Sequence, residues 1–125
     1  MARVTGVGGI FLKTSDKERL ARFWREALGI EVESWGGVIF AAASDPHPKP
    51  YAVLASFAAD SKYFDPSTRE MMINLRVDDL DAILERARGA GANVLDRREN
   101  TEQGRFGYVV DPDGVLIELW EPAPE

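Results

Sequence analysis

EMMINLRV (70–77), followed directly by DDLDAILERARGAG (78–91), is the stretch that decides the fold. Its first part is rich in apolar residues and predicts a β-strand. Its second part predicts a helix that Asp78 caps, and glycines mark the end of that helix. The apolar residues of the helix recur at helical spacing: Leu80, Ile83, Leu84 and Ala87.

An earlier part of the chain repeats this pattern. RVTGVGGIFLK (3–13) predicts a strand, and SDKERLARFWREALG (15–29) predicts a helix. Ser15 and Glu18 form a capping box at the start of that helix. Matching positions lie 63 residues apart and include Ile10 and Ile73, Leu12 and Leu75, and Leu20 and Ile83. Such self-similarity predicts two modules built alike.

Three strands are predicted to follow each helix, so that each module has the order βαβββ. They cover 30–35, 37–44 and 51–57 in the first module, and 93–100, 104–111 and 114–122 in the second. The predicted class is α+β. We place module 1 at about 1–58, a linker at about 59–69 and module 2 at about 70–125.

The composition of the chain excludes several classes of function. Its 125 residues include no cysteine, which excludes disulfides, thiolate nucleophiles and cysteine-bound metals. The net charge of -6 argues against a nucleic-acid partner. No apolar run approaches a membrane span, and the N-terminus lacks the features of a signal peptide, so we predict a cytoplasmic protein.

Alternation along the strands separates two faces of the predicted sheet. Ile73, Leu75 and Val77 share an aliphatic face that should pack against the helices. The opposite face carries both polar and apolar side chains and should line a cleft: Met72, Asn74, Arg76, Leu116, Glu118 and Trp120. Apolar walls with a few polar groups are typical of a small-molecule site.

The whole chain resembles the vicinal oxygen chelate superfamily, which includes glyoxalase I, bleomycin-resistance proteins and extradiol dioxygenases. GIFLKTSDKERLARFWREALG, INLRVDDLDAILERARGAGA and GRFGYVVDPDGVLIELWEP carry the resemblance. It implies two tandem βαβββ modules that form a curved mixed sheet around a cleft, and a homodimer. It also implies a divalent metal held by side chains of the first, fourth, fifth and eighth strands.

The metal ligands implied by the resemblance are mostly missing from this sequence. The first-strand ligand would fall at Gly9 or Gly6, the fourth-strand ligand at Leu54, because YAVL (51–54) aligns with VLIE (115–118), and the fifth-strand ligand at Met72. Only the eighth-strand acid remains, as Glu118. His47, the single histidine, lies in the loop DPHPKP, where we expect solvent exposure. We therefore predict no metal and no other cofactor.

Glu118 is the candidate catalytic residue, as a general base whose basicity burial would raise. The alternative is that Arg76 or Arg105 pairs with it as structural support. Either arginine could instead hold an acidic group of a ligand. The further candidate ligand-binding residues are Phe11, Leu54, Met72, Asn74 and Trp120.

Two classes of function fit these residues. The first is a metal-free protein that binds a small organic ligand in its cleft, as bleomycin-resistance proteins do. The second is a lyase or isomerase in which Glu118 moves a proton next to a carbonyl group. A metal-dependent enzyme with an unusual ligand set is a third, weaker alternative.

Overall fold

The computed structural model describes residues 2–28, 31–40, 52–111 and 114–124 of the chain. The elements are β1 (Val4–Thr14), α1 (Lys17–Leu28), β2 (Val38–Phe40), β3 (Ala52–Ala58), β4 (Met71–Val77), α2 (Leu80–Gly89), β5 (Asn93–Thr101), β6 (Gly104–Val110) and β7 (Leu116–Pro122). The predicted α+β class is confirmed. Among the described residues, no helix is long and apolar enough to cross a membrane.

The described strands form one curved, mixed sheet in the order β2-β3-β1-β4-β7-β6-β5. β1 and β4, the first strands of the two predicted modules, pair antiparallel at its centre. Each of them also pairs in parallel with the last strand of its own half, β1 with β3 and β4 with β7. The two halves are therefore related as the sequence repeat predicts.

One predicted strand is replaced by a turn. The prediction of a strand over 30–35 is wrong for residues 31–35, where the backbone amide of Gly36 donates to Glu33 O at 2.9 Å. Gly36 has a φ of 94°, a conformation that glycine adopts without steric cost. Residues 41–51, with His47, lie outside the described residues.

Both helix caps lie one residue later than predicted. Asp16, not Ser15, caps α1, because its carboxylate accepts a hydrogen bond from Arg19 N at 3.0 Å. Asp79, not Asp78, caps α2 by accepting from Ala82 N at 3.1 Å. In both cases the capping side chain bonds the amide three residues ahead, the usual geometry of an N-cap.

Two apolar cores lie on opposite faces of the sheet. The core on the helix side joins α2 to β4 and β7 through Val77, Leu80, Leu84 and Leu119. The core on the other side contains Phe64, Met72, Tyr108 and Leu116. Phe64 belongs to the predicted linker, which therefore folds over one half of the concave face. The other half stays open as a cleft.

Candidate functional site

The open half of the concave face is a cleft of about 530 Å³, a volume suited to a small organic molecule. Most of its lining side chains are apolar or aromatic. The described lining residues are Gly8, Phe11, Trp35, Ile39, Val53, Asn74, Gln103, Phe106, Glu118 and Trp120. Both halves of the sheet contribute to it, because β1, β4 and β7 run through its floor.

Glu118 lies at the floor of this cleft with only 3% of its surface exposed. Its Oε2 accepts hydrogen bonds from the hydroxyls of Tyr63 at 2.6 Å and Tyr108 at 2.9 Å. Its Oε1 accepts from Asn74 Nδ2 at 2.8 Å. A buried carboxylate is costly unless it is hydrogen-bonded, and here three neutral side chains satisfy it.

The two tyrosines that hold Glu118 stay neutral in the folded protein. Burial is the largest cause and the charge of Glu118 the second, and together they raise the pKa of both Tyr63 and Tyr108 above the ordinary tyrosine value. A neutral phenol keeps its hydrogen and can therefore donate to a carboxylate. The hydroxyls of the two tyrosines also lie 2.9 Å apart.

The hydrogen-bonded cluster continues from Tyr108 toward the surface. Tyr108 Oη lies 2.8 Å from Oε2 of Glu99, whose side chain is 38% exposed. Arg97 Nη2 donates to the same oxygen at 2.9 Å, and its guanidinium lies over the rings of Tyr63 and Tyr108, at 4.3 and 4.0 Å from their centroids. Burial alone would raise the pKa of Glu99, but the hydrogen bonds from Tyr108 and Arg97 outweigh it and lower that pKa.

Asn74 is the second polar residue at the floor, and its orientation is fixed. Because Nδ2 donates to Glu118, Oδ1 must point the other way, toward β1. Oδ1 is buried and has no hydrogen-bond partner among the described residues. Gly8 makes room for it, since a Cβ at Gly8 would lie 1.8 Å from Oδ1.

A β-bulge places two consecutive glycines against Asn74. The pairing of β1 with β4 shifts register between Val7 and Gly9, and this shift leaves Gly8 as the extra residue. A Cβ at Gly9 would lie 2.6 Å from Val53 O, so this position also has no room for a side chain. The bulge therefore brings bare backbone to the floor of the cleft.

Aromatic side chains form the walls of the cleft. Phe106 and Trp120 are stacked with an interplanar angle of 4° and their ring centroids 6.1 Å apart. Trp120 Nε1 donates to Gln103 O at 2.9 Å, which fixes the indole. Trp35 lines the same cleft with 51% of its surface exposed. Such walls offer flat apolar surface to a ligand.

The structure brings together four of the residues proposed from sequence. Phe11, Asn74, Glu118 and Trp120 all line the cleft. Their roles in binding or catalysis stay predictions. The proposed ion pair between Glu118 and Arg76 or Arg105 is not the described arrangement, because the hydrogen bonds to Glu118 come from Tyr63, Tyr108 and Asn74.

The other four proposed residues lie elsewhere. Met72 is fully buried in the core beneath the predicted linker, and Leu54 alternates with Val53 and so faces away from the cleft. Arg105 binds Asp81 of α2 at 2.8 Å, on the helix side of the sheet. Arg76 donates to Val7 O at 3.0 Å, near the bulge.

The pairing register corrects the position of the fourth-strand ligand. Phe11 pairs with Ala55, and the equivalent Asn74 pairs with Glu118. The counterpart of Glu118 is therefore Ala55, 63 residues earlier, and not Leu54. This shift agrees with the one that relates β1 to β4.

The described residues do not fit the metal site that the fold family implies. The four positions carry glycine, alanine, methionine and Glu118, and both oxygens of Glu118 already accept hydrogen bonds. A histidine at Gly9 would collide with the backbone of Val53, and a Cβ at Gly6 would lie 2.7 Å from the guanidinium of Arg76. No group of three or more metal-binding side chains occurs within the part of the chain that the structure describes.

Sequence reasoning missed several residues of the site. Tyr108 lies directly opposite Glu118 because Asp111 N donates to Val115 O, which sets the register of the β6–β7 hairpin. Gly114, with a φ of 83°, donates its amide to Asp111 O at 3.0 Å, and a glycine at the end of such a hairpin turn is the sequence signal that could have given this register. Tyr63 comes from a segment without periodicity, so no sequence signal pointed to it. The other missed residues are Gly8, Trp35, Val53, Ile39, Gln103, Phe106, Arg97 and Glu99.

Comparisons with known proteins agree with this geometry. Residues 9–120 match the model of a family described as "Glyoxalase-like domain". The comparison with curated proteins found no match. Three solved structures illustrate the likeness of the fold.

Methylmalonyl-CoA epimerase from Mycobacterium tuberculosis is 26% identical, with a TM-score of 0.63 over 97% of this chain and 90% of that chain. A variant of the Streptomyces coelicolor epimerase in complex with 2-nitronate-propionyl-CoA is 20% identical, with a TM-score of 0.72 over 98% and 100%. A glyoxalase/bleomycin resistance protein/dioxygenase superfamily member from Vibrio splendidus is 17% identical, with a TM-score of 0.60 over 97% and 99%. Because the family model spans most of the chain, this protein belongs to the glyoxalase-like domain family, within the vicinal oxygen chelate superfamily.

Proposed function

We propose that this protein binds a small organic molecule in the concave cleft without the help of a metal ion. One observation carries the proposal: in a cleft of about 530 Å³ with aromatic walls, both oxygens of the only charged described lining residue, Glu118, are held by neutral donors. A fixed, hydrogen-bonded carboxylate is suited to recognition, because its geometry is set before a ligand arrives.

A fragment screen read by thermal unfolding tests this proposal. A ligand that binds only the folded state raises the unfolding temperature by mass action. Ile39→Trp narrows the cleft and should abolish the shifts that the hits produce. Phe40→Trp is the matched control, since Phe40 is the next residue of β2 and does not line the cleft. Hits that survive Ile39→Trp would show that the ligand binds elsewhere.

Proton transfer is the second candidate function, and one contact favours it. Tyr108 has a single hydroxyl hydrogen but lies within hydrogen-bond distance of both Glu118 and Glu99. It can therefore donate to either carboxylate, and a continuous chain links the cleft to a partly exposed acid. The resemblance to methylmalonyl-CoA epimerases points to a class of substrates that carry a carboxylate on the α-carbon of a thioester.

Hydrogen exchange distinguishes the two candidates. In deuterated water, an epimerase exchanges the α-hydrogen of methylmalonyl-CoA, and NMR detects the loss of that signal. If the protein only binds its ligand, the α-hydrogen should exchange at the rate that is measured without protein. Exchange that depends on this protein and stops in Glu118→Gln would replace the binding proposal with the enzymatic one.

A further inference from the structure

The described lining residues of the cleft carry a negative formal charge and no positive one. Among the described lining residues, Glu118 is the only one with a formal charge, and no ion pair joins it to a described cation. The hydrogen bonds that satisfy it come from neutral groups, so its negative charge is not cancelled at the floor. A charge in a desolvated site acts on a ligand more strongly than the same charge at a surface.

Asn74 adds to this negative potential. Its Oδ1, the negative end of the amide dipole, is held away from Glu118 and has no partner among the described residues. Asn74 is only 3% exposed, so water does not screen that dipole. The floor of the cleft therefore attracts positive charge and repels negative charge.

The walls of the cleft favour the same kind of ligand. Phe106 and Trp120 present stacked rings, and Trp35 supplies a further, half-exposed indole. Gly37 lets Trp35 fold over the backbone, because a Cβ there would lie 1.9 Å from its ring. Aromatic faces attract both flat rings and cations.

We infer that the ligand of this cleft is a flat aromatic molecule that carries a cationic nitrogen, with the ring between the aromatic walls and the nitrogen toward Glu118. This inference rests on the proposed binding function and names its ligand class. The nitrogen compensates the buried charge of Glu118, and a neutral or anionic ligand of the same shape cannot do so.

Three probes of one shape test the ligand class: 2-naphthylmethylammonium, 2-naphthylmethanol and 2-naphthoate. Titration calorimetry at neutral pH should show the ammonium probe binding at least about tenfold more tightly than the alcohol, and the carboxylate most weakly. In Glu118→Gln, the preference for the ammonium probe should fall to about threefold or less. Glu102→Gln, a change of equal charge at an exposed position outside the cleft, should keep the preference.

Each result decides the inference. Equal binding of the three probes, or tightest binding of the carboxylate, overturns the ligand class but leaves the binding function in place. Failure of all three probes to bind also overturns the ligand class, and the fragment screen then decides the binding function separately. The order of the affinities of the three probes for the wild-type protein is sufficient to decide the ligand class. The test therefore remains valid if Glu118→Gln does not fold.

Discussion

The two halves of the sheet share one architecture but supply different surfaces to the cleft. Phe11 and Ala55 of the first half occupy the positions that Asn74 and Glu118 occupy in the second. The first half contributes apolar side chains and bare glycine backbone. The second half contributes a hydrogen-bonded cluster that reaches Glu99.

This difference shows how a duplicated scaffold can separate two tasks. The glycines of β1 leave space, and the polar residues of β4 and β7 use that space, as Gly8 and Asn74 show. The stability of the second half should depend on complete hydrogen bonding, whereas that of the first should depend on volume. Four substitutions test this contrast.

The largest effect is expected for Tyr108→Phe. It removes a hydroxyl within 2.9 Å of Glu118, Glu99 and Tyr63, and leaves the buried Oε2 of Glu118 with one possible donor fewer. We expect the free energy of unfolding to fall by about 3 kcal/mol in urea denaturation. The double variant with Glu118→Gln should cost less than the sum of the two single changes. Simple additivity would show that the two side chains are not coupled.

A smaller loss is expected for Gly8→Ala. The new Cβ would displace Asn74 Oδ1, and the hydrogen bond from Asn74 Nδ2 to Glu118 would break with it. We expect a loss of about 2 kcal/mol, measured in the same way. Gly89→Ala is the matched control, because nothing lies within 4 Å of that position. If Gly8→Ala proves as stable as the control, the contact between position 8 and Asn74 Oδ1 is not tight.

Phe11→Leu should cost less than either of these changes. Phe11 packs against Phe57 with ring centroids 5.7 Å apart, so the substitution loses apolar contact but leaves no polar group unsatisfied. We expect the free energy of unfolding to fall by about 1 kcal/mol. A cost equal to that of Tyr108→Phe would remove the contrast between the two halves.

The smallest effect is expected for Glu99→Gln, and it concerns how stability depends on pH in the acidic range. Because the pKa of Glu99 is lowered in the folded state, its ionised form stabilises the protein at pH values above about 4.3, the ordinary glutamate value. That contribution is lost as the pH falls through the lower, folded value. Glu99→Gln should therefore flatten the fall in stability below about pH 4.3, measured by urea denaturation at several pH values.

Glu102→Gln is the control for the acid experiment, because it removes an exposed acid at the turn between β5 and β6. If the free energy of unfolding falls as steeply with pH in Glu99→Gln as in the wild-type protein, other acids dominate the loss of stability in acid. Asp81 is one such acid, since hydrogen bonds from Arg105 and Arg98 lower its pKa.

The sequence repeat was sufficient to predict most of the fold. Helical periodicity and strand alternation located β1, α1, β4 and α2, and parity along β4 and β7 placed Asn74 and Glu118 on one face. Both signals report on which side of an element is buried, so they carry this information directly. The predicted homodimer and cytoplasmic location stay predictions.

The remaining parts of the site depend on register and on a segment without periodicity. Alternation cannot show that a bulge at Gly8 adds a residue, or that the partner of Phe11 is Ala55. Nor can it predict that Tyr63 folds back from the predicted linker to reach Glu118. Contacts of this kind form between residues far apart in sequence, where local pattern carries no information.

The positions of the three tryptophans have an optical consequence. Trp24 and Trp120 are buried, whereas Trp35 is half-exposed at the cleft. The long-wavelength part of the fluorescence emission should therefore come mainly from Trp35. A molecule that enters the cleft would cover this indole and shift the emission to shorter wavelength. The protein thus carries its own reporter of occupancy, and no added dye is needed.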